Sequence, residues 1–239
     1  MRTGFKIAAF LTIAIAAVII IMLSPAFDID AVVIRGNVSV TADAIKTAAG
    51  LDKPRNIFAF GAGRAERELL KNTYIASASI AKDYLGKSVE IGVRERRLSG
   101  YVEFLSGTYI YIDDTGYVLE TAKTMRDKLP VIQGLSFTEF TAGQPLNVGN
   151  ELAFEAVVTL EQLFNTYNLQ SVVVKLDVAD VNHVHAYIKN LDFDLGEIVD
   201  ADQKVRMMKA IYEKLSDTDV RATIDLTDAN KDALFKLLK

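Results

Sequence analysis

The hydrophobic pattern of the 239-residue chain begins with one continuous apolar segment and then breaks into short alternating elements. Residues 7–23 are apolar except for Thr12, and no charged residue occurs between Lys6 and Asp28. An uncharged run of about 20 residues matches the hydrocarbon thickness of a bilayer at the rise of an α-helix. The pattern therefore predicts a transmembrane helix at 7–24.

The charges around this segment predict its orientation. Arg2, Lys6 and the amino terminus precede it, and acidic residues follow it. Positive charge is retained on the cytoplasmic side, so we expect residues 1–6 to be a cytoplasmic tail and the rest of the chain to be exported. The alternative is a cleaved signal peptide, because Ser24-Pro25-Ala26 offers small residues to a peptidase. The apolar run is longer than the core of a usual signal peptide, which favours an uncleaved anchor.

Residues 27–96 predict a small domain with the element order β-α-α-β-β. Gly36-Asn37 is a turn signal after the first strand, and Thr41 can cap a helix that Gly50 ends. A second helix is expected over residues 62–71. The runs YIASASIAKDY and SVEIGVRER alternate between apolar and polar positions and predict two strands. A unit of about 70 residues is large enough for a domain.

Residues 97–228 predict a larger α+β domain with a mixed or antiparallel sheet and packed helices. Runs rich in Tyr, Ile and Val predict strands, and the stretch from Asp113 to Gly116 predicts a hairpin turn. Apolar residues at helical spacing predict one helix after Asn150 and another at about 200–215. VRATIDL predicts a closing strand.

The last residues, 229–239, form a separate C-terminal tail in this prediction. The sequence DANKDALFKLLK has apolar and basic residues in a pattern typical of an amphipathic helix. A helix of about nine residues is marginal by itself, so we expect the tail to pack against the domain.

Several short patterns occur in a fixed order along the chain. In the first domain they are Phe27-x-Ile29, Gly36-Asn37, Asn56-Ile57-Phe58 and Val89-x-Ile91-x-Val93-x-Glu95-Arg96. This domain resembles a POTRA domain, a small docking module found beside membranes. In the second domain they are Ile112-Asp113-x-x-Gly116-x-Val118, Leu129-Pro130-x-Ile132-x-Gly134 and Ile224-Asp225-Leu226. The ordered set, together with the anchor, resembles the FtsQ/DivIB family of bacterial cell division proteins.

The resemblance implies a non-enzymatic scaffold of the division site. It implies a single-pass membrane protein at the septum, with its N-terminus in the cytoplasm and its C-terminus outside. The implied partners are bitopic coiled-coil proteins similar to FtsB and FtsL and, through them, the septal peptidoglycan synthase. No cofactor is implied. The mechanism expected is β-augmentation, in which a partner segment adds a strand to a free sheet edge.

We expect the closing strand to be that edge, with the preceding helix behind it. The predicted partner-binding residues are Val205, Met208, Tyr212, Val220, Arg221, Ala222, Thr223, Ile224, Asp225 and Leu226. A second docking surface is expected on the strand of the first domain that carries Ile75, Ser77 and Ser79.

Candidate residues for catalysis or metal binding are few. The chain has no cysteine, which excludes thiolate chemistry and thiol-based metal sites. His183 and His185 are the only histidines and share one face of a strand; a zinc site usually needs more ligands, so we expect a surface or cross-strand role. Asp113 and Asp114 are explained more simply as turn residues than as an acid–base pair.

Net charge narrows the partner class further. Without Arg2 and Lys6, 25 Lys and Arg stand against 31 Asp and Glu, a net charge of −6. A nucleic-acid partner would favour a basic face instead. Two alternative functions remain: another single-pass POTRA protein of secretion or envelope assembly, and a membrane-anchored cell-wall enzyme. POTRA proteins of the first kind share the opening domain but not the series of motifs found in residues 112–226. An enzyme of the second kind requires a clustered set of acid, base or nucleophile residues, which the sequence does not display.

Overall fold

A computed structural model describes residues 2–104, 107–125 and 128–238. Residue 1 of the expected cytoplasmic tail and residue 239 of the expected C-terminal tail lie outside this part of the chain. The molecule divides into two compact units, residues 1–96 and 97–239.

The apolar N-terminal segment forms helix α1, Arg2–Met22, followed by a 3₁₀ turn at Pro25–Phe27. Asn56 fixes the end of this helix within the first unit. Its side-chain Nδ2 donates to the carbonyl oxygens of Met22 and Ser24, each at 3.0 Å. Among the residues described, no helix combines the length and apolar character needed to cross a membrane.

The rest of the first unit has the predicted β-α-α-β-β order. Its elements are β1 Ala31–Arg35, α2 Ala42–Ala48, α3 Ala62–Leu69, β2 Ile75–Asp83 and β3 Ser88–Glu95. Strand β3 lies in the centre, parallel to β1 and antiparallel to β2. The two helices and the sheet enclose a core that includes Ile45, Leu69 and Ile91.

Two residues of the recognised motifs fix the loop after β1. Gly36 has a φ of +83°, and a Cβ at this position would lie 2.1 Å from the Val93 carbonyl oxygen. The Glu95 carboxylate accepts hydrogen bonds from the backbone amides of residues 38–40 at 2.8–3.0 Å. Thr41 then caps α2 by accepting a hydrogen bond from the Ala44 amide. The turn and the cap expected from the sequence are therefore present.

In its described residues, the second unit is one open mixed sheet of nine strands with two helices. Its elements are β4 Gly100–Phe104, β5 Thr108–Ile112, β6 Val118–Ala122, β7 Val131–Gln133, α4 Glu151–Thr166, β8 Val173–Asp177, β9 Val184–Ile188, β10 Leu191–Gly196, α5 Ala201–Leu215, β11 Ala222–Asp225 and β12 Leu234–Leu237. The strand order is β12-β11-β10-β9-β8-β7-β4-β5-β6. Buried side chains of α4 and α5, such as Leu160, Phe164 and Met208, join those of the sheet in one core.

The prediction of a helical C-terminal tail is wrong. Residues 234–237 form strand β12, which pairs antiparallel with β11. The connection is fixed by the turn at Asp228–Lys231 and by Gln203 on α5, whose Nε2 donates to the Ala229 carbonyl oxygen at 2.7 Å. Pairing with β11 satisfies backbone groups that a single exposed helical turn would leave to water.

Gly134→Ala tests the tight turn after β7, with Gly107→Ala as its control in the same unit. Both glycines have positive φ, +92° and +86°, so both alanines carry a backbone penalty of about 1 kcal/mol. Only at Gly134 would the new Cβ collide with backbone, 2.2 Å from the Ala179 nitrogen. We expect Gly134→Ala to lower the free energy of unfolding by several kcal/mol in denaturant titrations, on the order of a severe substitution. Equal losses for the two variants would contradict this account.

Candidate partner-binding edges

The closing strand β11 is not the free edge that the sequence analysis expected. It lies between β10, to which it is parallel, and β12, to which it is antiparallel. Half of the predicted partner-binding residues are core residues with almost no exposed surface. These are Val205, Met208, Ala222, Ile224 and Leu226. Val220, Thr223, Asp225 and Tyr212 are half-buried, and Arg221 is exposed.

The free edge is β12, one strand further out. The Leu238 amide donates to the Arg221 carbonyl oxygen at 2.9 Å, and the register pairs Lys236 with Thr223. Because backbone groups along a strand point alternately to its two sides, residues 234, 236 and 238 bond to β11. The N–H and C=O groups of Phe235 and Leu237 therefore point away from the sheet, and no described residue bonds to them there.

The side chains of Phe235 and Leu237 give this edge an apolar margin. They lie opposite Ile224 and Ala222 in the register, on the face of the sheet that packs against the helices. Phe235 remains 52% exposed and Leu237 72% exposed. A strand added beside β12 would bond to both backbone positions and bring its own side chains alongside these two.

The opposite edge of the sheet is partly closed. At β6, the Val118 amide donates to the Gln144 carbonyl oxygen, and the Gly143 amide donates to that of Val118, both at 2.9 Å. Tyr117 also forms a bridge with Pro145. Of the two ends of the nine-stranded sheet, β12 is thus the one whose outer backbone groups have no such cover among the described residues.

Strand β2 is an edge of the sheet in the first unit, as expected, but only part of the expected surface is accessible. Ser77 and Ser79 are exposed, whereas Ile75 is buried in the core. The register of β2 against β3 shifts between Ile75 and Ser77, so Ile75 turns to the opposite face from the two serines. The Ile80 amide is already bound by the Glu66 carboxylate at 2.9 Å, which occupies one position of this edge.

The histidines form cross-strand pairs. His183 and His185 lie against Asp194 and Asp192 of the neighbouring strand, with Nδ1–Oδ distances of 2.9 and 2.7 Å. The hydrogen bond with Asp194 raises the pKa of His183. Within the described part of the chain, no group of three or more His, Asp or Glu side chains is arranged to hold a metal ion.

A buried carboxyl group on α4 was missed by the sequence analysis. Glu161 is fully buried; its Oε2 accepts from Ser99 Oγ at 2.5 Å, and Gln170 Nε2 donates to the same hydroxyl at 2.6 Å. Its Oε1 has no partner among the described residues. Burial raises the pKa of Glu161 to about 7. The signal was in the sequence: position 161 lies on the apolar stripe of α4, four residues after Val157 and three before Phe164.

Within the described residues, the chain thus combines a POTRA-like βααββ unit with an open mixed sheet that ends in the uncovered strand β12. The family model described as "POTRA domain, FtsQ-type" matches residues 27–96. The chain is similar to the cell division protein DivIB of Clostridium botulinum strain Hall, with 25% identity over 182 residues that cover 76% of this chain and 70% of the relative. The corresponding values for DivIB of Listeria monocytogenes serovar 1/2a are 24% identity over 204 residues, 84% and 70%. Residues 27–96 therefore match an FtsQ-type POTRA domain, and most of the chain is similar to bacterial cell division proteins named DivIB, which supports the resemblance to the FtsQ/DivIB family.

Glu161→Gln tests the buried carboxyl through the pH dependence of stability. Folding raises the pKa of this acid from its ordinary 4.5 to about 7, so the unfolded chain ionises first as the pH rises. The destabilisation is absent below pH 4.5, grows up to about pH 7 and is complete above it. Relative to the parent, we expect Glu161→Gln to gain up to about 3 kcal/mol between pH 5 and pH 8 in denaturant unfolding. Glu155→Gln, an exposed change on the same helix, should gain nothing, and a pH-independent effect of Glu161→Gln would refute the assignment.

Proposed function

We propose that this protein is a non-enzymatic scaffold of the division site that captures a partner by adding the partner's strand to β12. The observation that carries the proposal is the outward-facing backbone of Phe235 and Leu237, bordered by their exposed side chains. An unpaired edge is a liability unless a partner covers it, and main-chain hydrogen bonds supply affinity in this mode of binding. In this proposal the partner-binding surface moves from β11 to β12, and Arg221 lies beside it because its carbonyl oxygen accepts from the Leu238 amide.

The proposed partners are bitopic coiled-coil proteins similar to FtsB and FtsL, through which the scaffold influences the septal peptidoglycan synthase. The proposed setting is the cell membrane, with residues 7–24 as a single-pass anchor, the N-terminus in the cytoplasm and both folded units outside. The uncharged apolar run of residues 7–23 supports this arrangement. An anchor confines scaffold and partners to one surface, so that individually weak contacts suffice together. Ser77 and Ser79 on β2 are retained as a second proposed docking surface.

Leu237→Pro tests the edge, with Leu237→Ala as the matched control. Proline removes the outward N–H of residue 237 but no hydrogen bond to β11, because that amide points away from β11. Alanine removes the same side chain and keeps the amide. We expect Leu237→Pro to weaken capture of the FtsB-like and FtsL-like proteins about tenfold relative to Leu237→Ala, as the loss of roughly 1.4 kcal/mol would. Co-purification from cells that express each full-length variant measures this.

A proline at Thr223 or Asp225 would have a different effect. Their amides point to β12, so proline there would break the pairing within the protein. Equal capture by Leu237→Pro and Leu237→Ala, with both variants folded by circular dichroism, would exclude β12 as the docking edge.

The division-site role predicts where the protein accumulates in the cell. A fluorescent fusion to the full-length chain should concentrate at midcell in dividing cells. The matched control is a fusion to residues 1–26 alone, which keeps the proposed anchor and lacks both docking units; it should spread over the envelope. A uniform envelope signal from the full-length fusion would favour the alternative of a POTRA protein in secretion or envelope assembly.

A further inference from the structure

A second surface of the sheet unit, between α4 and the loops that follow β8 and β10, has the features of a docking groove. It consists of two adjoining cavities of about 390 and 370 Å³ that share Leu152 and Val181. One wall is the first half of α4, and the other is formed by the loop between β8 and β9 and the loop between β10 and α5. We define the acidic groove by its lining residues 149–153, 155, 156, 159, 181, 182 and 197–199.

Large apolar side chains are exposed inside this groove. Leu152 is 67% exposed and Val199 60% exposed. Leu152, Ala156 and Thr159 follow one another at helical spacing on the same face of α4. The floor is continuous with the core, because Val181 and Ile198 pack against it. The groove therefore presents a strip of apolar surface of the kind that marks interaction sites.

All ionisable side chains that line the groove are carboxylates. Glu151, Glu155 and Glu197 are exposed and form no ion pair with any described residue. The surrounding unit has the same sign, since residues 97–239 contain 22 Asp and Glu against 14 Lys and Arg. A cationic partner would be attracted to this strip and an anionic one repelled.

The loop that carries Glu197 and Val199 is held in place by the side chain of Lys204. Lys204 on α5 is buried, and its Nζ donates to the carbonyl oxygens of Leu195 and Glu197, both at 2.8 Å. Two hydrogen bonds from one buried ammonium group fix the backbone at the point where β10 leaves the sheet. A fixed loop lowers the ordering cost of binding.

The groove lies at a defined end of the second unit. Ser99, where the chain enters this unit, bonds to Glu161 on α4. Leu152 precedes Glu161 by nine residues on the same helix, about 13 Å at the rise of an α-helix. The groove is thus lined by the first turns of α4, before the contact between Ser99 and Glu161.

We propose that the acidic groove binds an amphipathic partner helix whose apolar stripe is flanked by Lys or Arg. The apolar strip between Leu152 and Val199 takes the stripe, and Glu151, Glu155 and Glu197 pair with the flanking cations. This is helix-in-groove recognition. It is separate from strand addition at β12 and needs no backbone hydrogen bond from the scaffold.

The absence of cysteine from the sequence makes a direct test possible. Asn182→Cys places one thiol at the rim of the groove in the full-length chain, and Thr218→Cys places one between Asp217 and Asp219, an acidic control site away from it. We call the first thiol the groove thiol and the second the control thiol. Three 14-residue amphipathic peptides with an N-terminal cysteine serve as probes. The Leu–Lys peptide has an apolar stripe of Leu flanked by Lys. In the Leu–Glu peptide Glu replaces every Lys, and in the Ser–Lys peptide Ser replaces every Leu. The readout is the concentration of 2-mercaptoethanol at which half of the mixed disulfide remains.

We expect the Leu–Lys peptide on the groove thiol to withstand about tenfold more reductant than the same peptide on the control thiol. The Leu–Glu and Ser–Lys peptides should show no such difference between the two sites. Adding Leu152→Ser or Glu155→Lys to Asn182→Cys should each remove most of the preference, and Glu155→Lys should shift it toward the Leu–Glu peptide. Both are changes of exposed residues, so the fold is retained and circular dichroism confirms it.

Three results would overturn the proposal. The first is equal retention of the Leu–Lys peptide at the two sites, and the second is a preference that survives both groove substitutions. The third is disulfide-linked dimerisation of the Asn182→Cys chain, without peptide, far faster than that of the Thr218→Cys chain, which would identify a second copy as the occupant. Leu237→Pro should leave tethering at the groove thiol unchanged, so the groove and the β12 edge are tested independently.

Discussion

An open β-sheet must end in a strand whose outer backbone groups have no partner within the sheet. In the second unit, the two edge strands β6 and β12 meet this constraint in different ways. The loop at residues 143–145 bonds to β6 at one edge. At the other edge, the sheet ends in β12, where the backbone N–H and C=O groups of Phe235 and Leu237 point outward. The short length of β12 and the single Lys236 on it limit uncontrolled pairing between copies. The same features leave room for one specific strand, which is why the proposed function depends on this edge.

The C-terminal segment shows how tertiary structure decides between two local patterns. DALFKLLK has helical spacing, yet a helix of about nine residues gains little by itself. Strand β11 offers outward amides at Thr223 and Asp225 that would otherwise lack partners, and pairing with residues 234 and 236 satisfies them. The strand arrangement also places Phe235 and Leu237 on the helix-facing side of the sheet, next to the existing core. No window of sequence around the tail contains this information, because the deciding partner is the edge of another strand.

Much of the fold could be predicted from the sequence, since the determining interactions are local. The Thr41 cap and the alternation of Val89, Ile91 and Val93 each act within a few residues. The positive φ of Gly36 is also a local signal, although Val93 and Glu95 complete that turn. The candidate site was harder. Ile75 appeared to share a face with Ser77 and Ser79, but a bulge between them reverses its side. Asn150 stands at the N-cap of α4, as expected, yet its side chain bonds to Gly134 and Ser136 instead of to the helix. Val205 and Met208 do lie behind the closing strand, but so deeply that no partner could contact them.

The two proposed surfaces of the sheet unit, the β12 edge and the acidic groove, would recognise different properties of a partner. The β12 edge recognises backbone, which every sequence carries, so strand addition supplies affinity with limited discrimination. The acidic groove, as proposed, would recognise an apolar stripe beside positive charge, which few sequences carry, so it would supply discrimination and faster association. A partner complex that offers both a free strand and a basic amphipathic helix would engage the two surfaces together. Its second contact would then form at a high effective concentration. Weak contacts at each surface would add up to a selective assembly, and loss of either would release it without unfolding the scaffold.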